Sequence, residues 1–217
     1  MQHSPPDSGF DRVAAFYNLL ARLVYGRALQ NAQRAALTNG LPAGEPRVLI
    51  IGGGTGWVLI EVLRHRPQAS LLYLEASPQM LVKSRTKLAQ QLPAALPQVE
   101  FRLGTEADLF PTDTFDVIVT FFLLDLFEPV RLRHLVARLN TARRLGAPWL
   151  LADFAPPQKW WQRRLLTMMY RFFRLTTGIS ARCLPAIHAE LARLGLRPGR
   201  ETRFFGGMVE AVVWRQD

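Results

Sequence analysis

The chain has a single cysteine, Cys183, among 217 residues. One thiol excludes an internal disulfide framework and points to a reducing compartment. Histidine is almost as scarce. His3, His65, His134 and His188 show no metal-ligand spacing, so no catalytic metal is expected. Long hydrophobic runs are also missing: VIVTFFLL, over 117–124, is strand-length, well short of the roughly 20 residues a membrane-spanning helix needs. The opening MQHSPPDSGF has no basic-then-apolar leader pattern, and the expectation is a soluble, cytoplasmic protein. Acidic residues are few, 17 against 27 Lys and Arg, leaving a net charge of +10. That balance suits nucleic acid, anionic lipid or an acidic substrate. An arginine-rich composition also follows from the base content of a coding genome.

What is present describes a folded domain. Hydrophobic residues make up 49% and charged residues 20%, a globular balance, and the length suits one domain over 1–217. From Phe10 to about Leu37, apolar residues recur at three- and four-residue spacings, with Gly26 a candidate interruption. TNGLPAGEP (38–46) reads as a linker. Strand-like runs then alternate with helical ones. RVLII (47–51), SLLYLEAS (70–77), VEFRLG (99–104), TFDVIVTFFLL (114–124) and APWLLADF (147–154) are the strands. Helices are expected over 57–66, from Pro78 to about Leu92, over 129–146, and from about Pro185 to Leu194. Near-continuous aliphatic strands between helices predict an α/β fold, a doubly wound parallel sheet covered on both faces. RETRFF (200–205) and MVEAVVWR (208–215), flanking Gly206-Gly207, predict a C-terminal antiparallel hairpin.

The loop GGGTG after the first strand has glycines at 52, 53, 54 and 56. A dinucleotide fingerprint wants a glycine where Trp57 stands, and a P-loop wants Gly-Lys-Ser/Thr. Both are absent, which points to a nucleoside ligand without a pyrophosphate. Glu75 ends the second strand, where a carboxylate can accept both hydroxyls of a ribose.

These segments together resemble the class I S-adenosylmethionine-dependent methyltransferases over nearly the whole chain. VLIIGGGTG is similar to that family's first motif, LYLEASPQML to its ribose segment and FRLGTEADLF to its adenine segment. FDVIVTFFLLDLF is similar to its fourth-strand motif and LNTARRLGAPWLLADF to the following helix-turn-strand. The opening FDRVAAFYNLLARLVYG resembles the N-terminal helix of the small-molecule, ubiquinone/menaquinone type. The resemblance implies a Rossmann-like, seven-stranded sheet, S-adenosylmethionine as cofactor, and a helical cap over it at 10–40. It places Gly52, Gly53, Gly54 and Gly56 along the methionine and ribose. Glu75 would take the ribose hydroxyls, with Ala76 and Met80 beside the adenine, and Glu106 and Ala107 would flank the adenine and its amino group. Thr120 and Phe121 would face the sulfonium, and Tyr17 would reach the cofactor's carboxylate. The sequence departs from the family where an acid usually precedes the first glycine by two residues, here Ile50. It departs again after Gly104, where Thr105 replaces the usual Asp. The same loop echoes polyamine aminopropyltransferases, although Thr55 replaces their loop Asp and a cationic protein suits a polycation poorly. A non-catalytic domain that keeps the fold for binding or assembly is the remaining alternative.

Methyl transfer draws largely on positioning, and a base is needed only for a protonated acceptor. Asp125 and Asp153, at the ends of the fourth and fifth strands, are the candidate bases; helix capping and a structural hydrogen bond are their plain alternatives. The last notable segment is QKWWQRRLLTMMYRFFRL (158–175), within a basic aromatic insertion at 156–184. On a helical wheel Lys159, Arg163, Arg164, Arg171 and Arg174 share one sector, with Trp161, Leu165, Met168, Met169, Phe172 and Phe173 opposite. The readings are a helix packed on the sheet, a lid over a lipophilic substrate, or a contact with an anionic membrane. Basic residues set beside bulky apolar ones, with no RNA-binding domain appended, argue against nucleic acid.

Overall fold

The structure, a computed structural model, describes residues 25–177 and 184–216. Five parallel strands, β1 (Arg47–Ile51), β2 (Ser70–Glu75), β3 (Val99–Leu103), β4 (Val117–Phe121) and β5 (Trp149–Phe154), are joined by an antiparallel hairpin of β6 (Arg197–Phe204) and β7 (Val209–Arg215). The order across the seven-stranded sheet is β3-β2-β1-β4-β5-β7-β6, so β7 inserts between β5 and β6. Register aligns Leu49 of β1 with Leu72 of β2 and Ile118 of β4.

Because successive side chains on a strand point to opposite faces, the aliphatic strands feed two cores. Leu150, Ala152 and Phe154 pack toward helix α1 (Ala28–Gly40), helix α2 (Trp57–His65) and helix α5 (Trp160–Thr177). Trp149 and Leu151 pack toward helix α4 (Pro129–Thr141) and helix α6 (Ile187–Arg193). Helix α3 (Pro78–Gln91) starts where expected: Pro78 is its first residue, and the Ser77 hydroxyl accepts from the Met80 N–H at 3.1 Å.

Several boundaries differ from expectation, each for a packing reason. A turn at Gly26 precedes α1, which runs on through Thr38 and Asn39 to Gly40, and the earlier part of the expected helix, 10–24, lies outside the described residues. There the helix lies so close to the sheet that a Cβ on Gly40 would sit 2.3 Å from Leu150. The residues that look like a turn are therefore a close helix–sheet contact. β4 ends at Phe121 rather than 124, because Phe122 adopts φ +51° and the chain leaves the sheet for a short 3₁₀ turn, Leu124–Leu126. α4 stops at Thr141 rather than 146, where Ala142 O accepts from Phe115 N–H. β6 begins at Arg197 and passes through Pro198, with a register shift before Glu201; an edge strand tolerates proline because its outer N–H groups have no partner strand.

The amphipathic segment is helical as expected, but its faces divide differently. Leu166, Met169 and Gln162 are buried, while Trp160 and Met168 are exposed on the same side as the arginines. Met168 thus leaves the apolar side assigned to it by the wheel.

Candidate functional site

In an open α/β sheet, ligands collect at the carboxyl ends of the strands where the strand order reverses. Here that point lies between β1 and β4. A cleft of about 370 Å³ opens there, walled by the loops that follow β1, β2, β3 and β4. Gly52, Gly53, Gly54, Glu75, Ala76, Met80, Glu106 and Phe121, eight of the residues expected at the site, line it.

The glycine loop and Glu75 form one unit. Gly54 has φ +60°, and a Cβ there would meet nothing within 4 Å, so its backbone is open to the cleft. Its N–H donates to Glu75 Oε2 at 2.9 Å, and the Ser77 N–H donates to Glu75 Oε1 at 3.0 Å. The carboxylate is 7% exposed and clamped between two backbone donors. A carboxylate accepts through about four lone-pair positions, and these bonds fix the orientation of the group at the cleft. Beneath the loop, the buried Tyr73 donates its hydroxyl to Gly54 O at 2.8 Å, and its ring fills the space a Gly53 side chain would occupy. Burial, with Glu75 nearby, raises the Tyr73 pKa and keeps the phenol neutral. The sequence pattern does not mark Tyr73 as a site residue; its one signal is a polar tip among the leucines of β2.

At the adenine-segment end, Glu106 is gripped by Arg131 through two contacts, Nη1–Oε1 at 2.6 Å and Nη2–Oε2 at 2.8 Å. Both side chains line the cleft, and the guanidinium lies 5.4 Å from the centre of the Phe127 ring. Arg131, from α4, has no local sequence signal. Phe122 also lines the cleft, in left-handed backbone geometry that costs on the order of 1–3 kcal/mol for such a residue. Its ring packs edge-on against Phe154, 5.7 Å between centres, and its N–H donates to Ala152 O at 2.8 Å. With Leu123, Leu126 and Phe127, these side chains make the side of the cleft below β4 apolar. Gln33 of α1 and Trp57 of α2 also line the cleft.

Other expected site residues lie elsewhere. Gly56 is the left-handed N-cap of α2 at φ +78°, and a Cβ on it would sit 2.8 Å from the Ser84 backbone, so it is a helix-packing glycine. Ala107 is exposed, outside the cleft lining, in the 3₁₀ turn capped by Thr105. Thr120 turns inward, where its hydroxyl accepts from the Trp149 indole at 2.8 Å. Ile50 is packed in the core. Asp125 and Asp153 do not line the cleft either. Both are fully buried and hydrogen-bonded to each other, Asp153 also accepting from the Phe154 N–H at 2.8 Å. Burial pushes Asp125 up to about 7. Burial, and then Asp125 beside it, pushes Asp153 well above the usual carboxylate range. Next to Asp153 in register is Glu210, which contacts His188 and raises its pKa. Tyr17 lies outside the described residues, and none of the described residues of α5 lines the cleft. Among the described residues, no three His, Cys, Asp or Glu side chains form a metal-sized group, and no helix is long and apolar enough to cross a membrane.

Residues 49–148 match a family model described as a methyltransferase domain. Two rice (Oryza sativa subsp. japonica) chloroplast proteins, 2-methyl-6-phytyl-1,4-hydroquinone methyltransferases 1 and 2, are 36% and 29% identical over 75 and 128 residues. Those alignments cover 34% and 58% of this chain but 21% and 34% of the relatives, so the chain spans about a fifth to a third of their length. Among solved structures, the mitomycin 7-O-methyltransferase MmcR superposes with TM-score 0.72 at 20% identity, over 98% of this chain and 62% of its own. The YcgJ protein of Bacillus subtilis superposes with TM-score 0.64 at 17% identity, over 87% and 99%. At these identities the superpositions establish the fold.

Proposed function

We infer that this chain, which has the class I methyltransferase fold and whose residues 49–148 match a methyltransferase-domain model, is an S-adenosylmethionine-dependent methyltransferase for a small, apolar acceptor. The observation that carries the reading is Glu75, held between the Gly54 and Ser77 N–H groups at the rim of the cleft. A carboxylate so fixed suits a ribose diol, and the open backbone at Gly54 admits a ligand against the loop. Ala76 and Met80 would flank the adenine, and Glu106, oriented by Arg131, would face its polar edge. S-adenosylmethionine would supply an electrophilic methyl group on a sulfonium.

The chain's own part is positioning. The apolar walls of Phe121, Phe122 and Leu126 exclude water and hold an acceptor in line, and well-oriented reactants gain on the order of 7–11 kcal/mol. Aromatic faces also suit a sulfonium cation. Asp125 and Asp153 lie together in the interior, outside the cleft lining, and burial favours their protonated forms. A base role for them requires an opening of the loop after β4, and we keep it as the secondary part of the proposal. The apolar lining, together with the hydroquinone acceptors of the two rice relatives, supports a lipophilic, quinol-like acceptor. The aminopropyltransferase and non-catalytic alternatives are not favoured, since the matched family and the named relatives are methyltransferases.

The test is titration calorimetry with S-adenosylhomocysteine. Wild type should bind, and Glu75→Ala should bind about tenfold to a hundredfold more weakly, the equivalent of about 1.5–3 kcal/mol for hydrogen bonds to a charged group. A wild type that does not bind rejects the cofactor assignment. Wild type that binds yet transfers labelled methyl to none of a panel of quinols rejects the acceptor class.

A further inference from the structure

Helix α5 presents a surface that the proposed chemistry does not use. Its inner side is spent on the fold. Leu166 and Met169 are buried in the core, and Gln162 accepts from the Gln158 and Lys159 N–H groups at 2.7 and 2.9 Å while donating to Gly206 O. The outer side holds Trp160 (70% exposed), Met168 (64% exposed), Arg163, Arg164 and Arg171. Lys159 adds a further exposed cation just before the helix. The chain has no Asp or Glu between Asp153 and Glu190. Among the described residues, none of these four cations is ion-paired, and all four are exposed on one side of the segment. Arg164 instead stacks on Trp160, 5.3 Å from the ring centre.

We infer that the outer face of α5 docks on the surface of an anionic lipid bilayer. Two features select that occupant. Unpaired cations complement a surface of negative head groups, each contributing about 1 kcal/mol near such a surface, or roughly fivefold in partitioning. Trp160 and Met168 would be costly ornaments on a face meant only for a soluble polyanion, but a tryptophan among cations is suited to the boundary between head groups and acyl chains. α5 follows directly from the carboxyl end of β5, so Trp160 begins on the same edge of the sheet as the cleft. A lipophilic acceptor could then enter from the bilayer without crossing water. The docking stands without the methyltransferase reading, because it rests on a different surface.

The experiment is co-sedimentation of the full chain with vesicles of phosphatidylcholine alone, or with about one-third phosphatidylglycerol. The protein should bind the anionic vesicles and not the neutral ones, and added salt should release it. Charge reversal of Arg163, Arg164 and Arg171 together should lower binding at least about a hundredfold. Trp160→Ser with Met168→Ser should weaken vesicle binding while leaving binding to heparin unchanged. Retained S-adenosylhomocysteine binding, or an unchanged melting temperature where wild type does not bind it, shows that the variants are folded. Absent binding to anionic vesicles, or vesicle binding indifferent to the arginines, overturns the proposal. Vesicle and heparin binding that are both indifferent to Trp160 and Met168 also overturn it, and identify a general polyanion surface.

Discussion

Residues that look alike in the sequence do different work here, and the glycine loop is the clearest case. Gly54 faces the cleft with space around it, whereas Gly56 is pressed against the backbone of Ser84 on α3. Alanine should therefore separate binding from stability. Gly54→Ala should cost about 1–2 kcal/mol from its positive φ alone and act mainly on ligand affinity. Gly56→Ala adds overpacking of about 1–3 kcal/mol against backbone that cannot swing aside, and should mainly lower the denaturant midpoint. Equal midpoints for the two variants would contradict this division. The buried aspartates make a second residue-scale prediction. An unfolded Asp titrates near about 3.9, but Asp125 in the folded chain is raised to about 7. Between those values the native state holds more protons than the unfolded one. The stability present at low pH is therefore lost as pH rises through about 7. Asp125→Asn cannot ionise, so its melting temperature should gain on wild type between about pH 5 and about pH 8. A gap independent of pH would show that Asp125 does not titrate in that window.

At the scale of elements, the cleft depends on parts distant in sequence being held in register. β1 carries the glycine loop, β2 carries Glu75, and α4 brings Arg131 across to Glu106. Arg131 is 43% exposed, so its ion pair contributes little to stability and chiefly orients the carboxylate. Arg131→Ala should weaken S-adenosylhomocysteine binding roughly threefold to tenfold, about 0.6–1.4 kcal/mol, and leave the denaturant midpoint almost unchanged. A large loss of stability would show that the pair is structural. The fourth-strand loop behaves as an element too. Phe122 in left-handed geometry ends β4, and the chain that follows turns Asp125 inward to Asp153 and leaves Leu123 and Leu126 in the cleft wall.

For the whole molecule, the cleft, the two cores and the basic outer face of α5 are separate surfaces of one sheet-centred body. A ligand confined to the native state adds RT ln(1 + [L]/Kd) to its stability, about 2.7 kcal/mol at a hundredfold excess over Kd. For a chain of 217 residues that should raise the melting temperature by roughly 5–10 °C, measurable by scanning calorimetry with S-adenosylhomocysteine. No shift at such an excess would contradict a native-state site.

The sequence by itself determined the alternation of aliphatic strands and helices, the C-terminal hairpin, and the pairing of the glycine loop with Glu75. Those are local signals, carried by periodicity, by glycines at a strand-to-helix turn, and by an acid at a strand end. It also marked 158–175 as a cationic amphipathic helix. Only the tertiary structure decided which face of each element meets which neighbour. It turned Thr120 toward Trp149, buried Asp125 against Asp153, set Gly56 against α3 and left Met168 outside. It also brought Tyr73 under Gly54 and Arg131 onto Glu106, contacts 19 and 25 residues apart in the chain. A side chain's direction depends on the register and packing of strands and helices that a local pattern does not specify, which is why the elements were legible and half of the site's geometry was not.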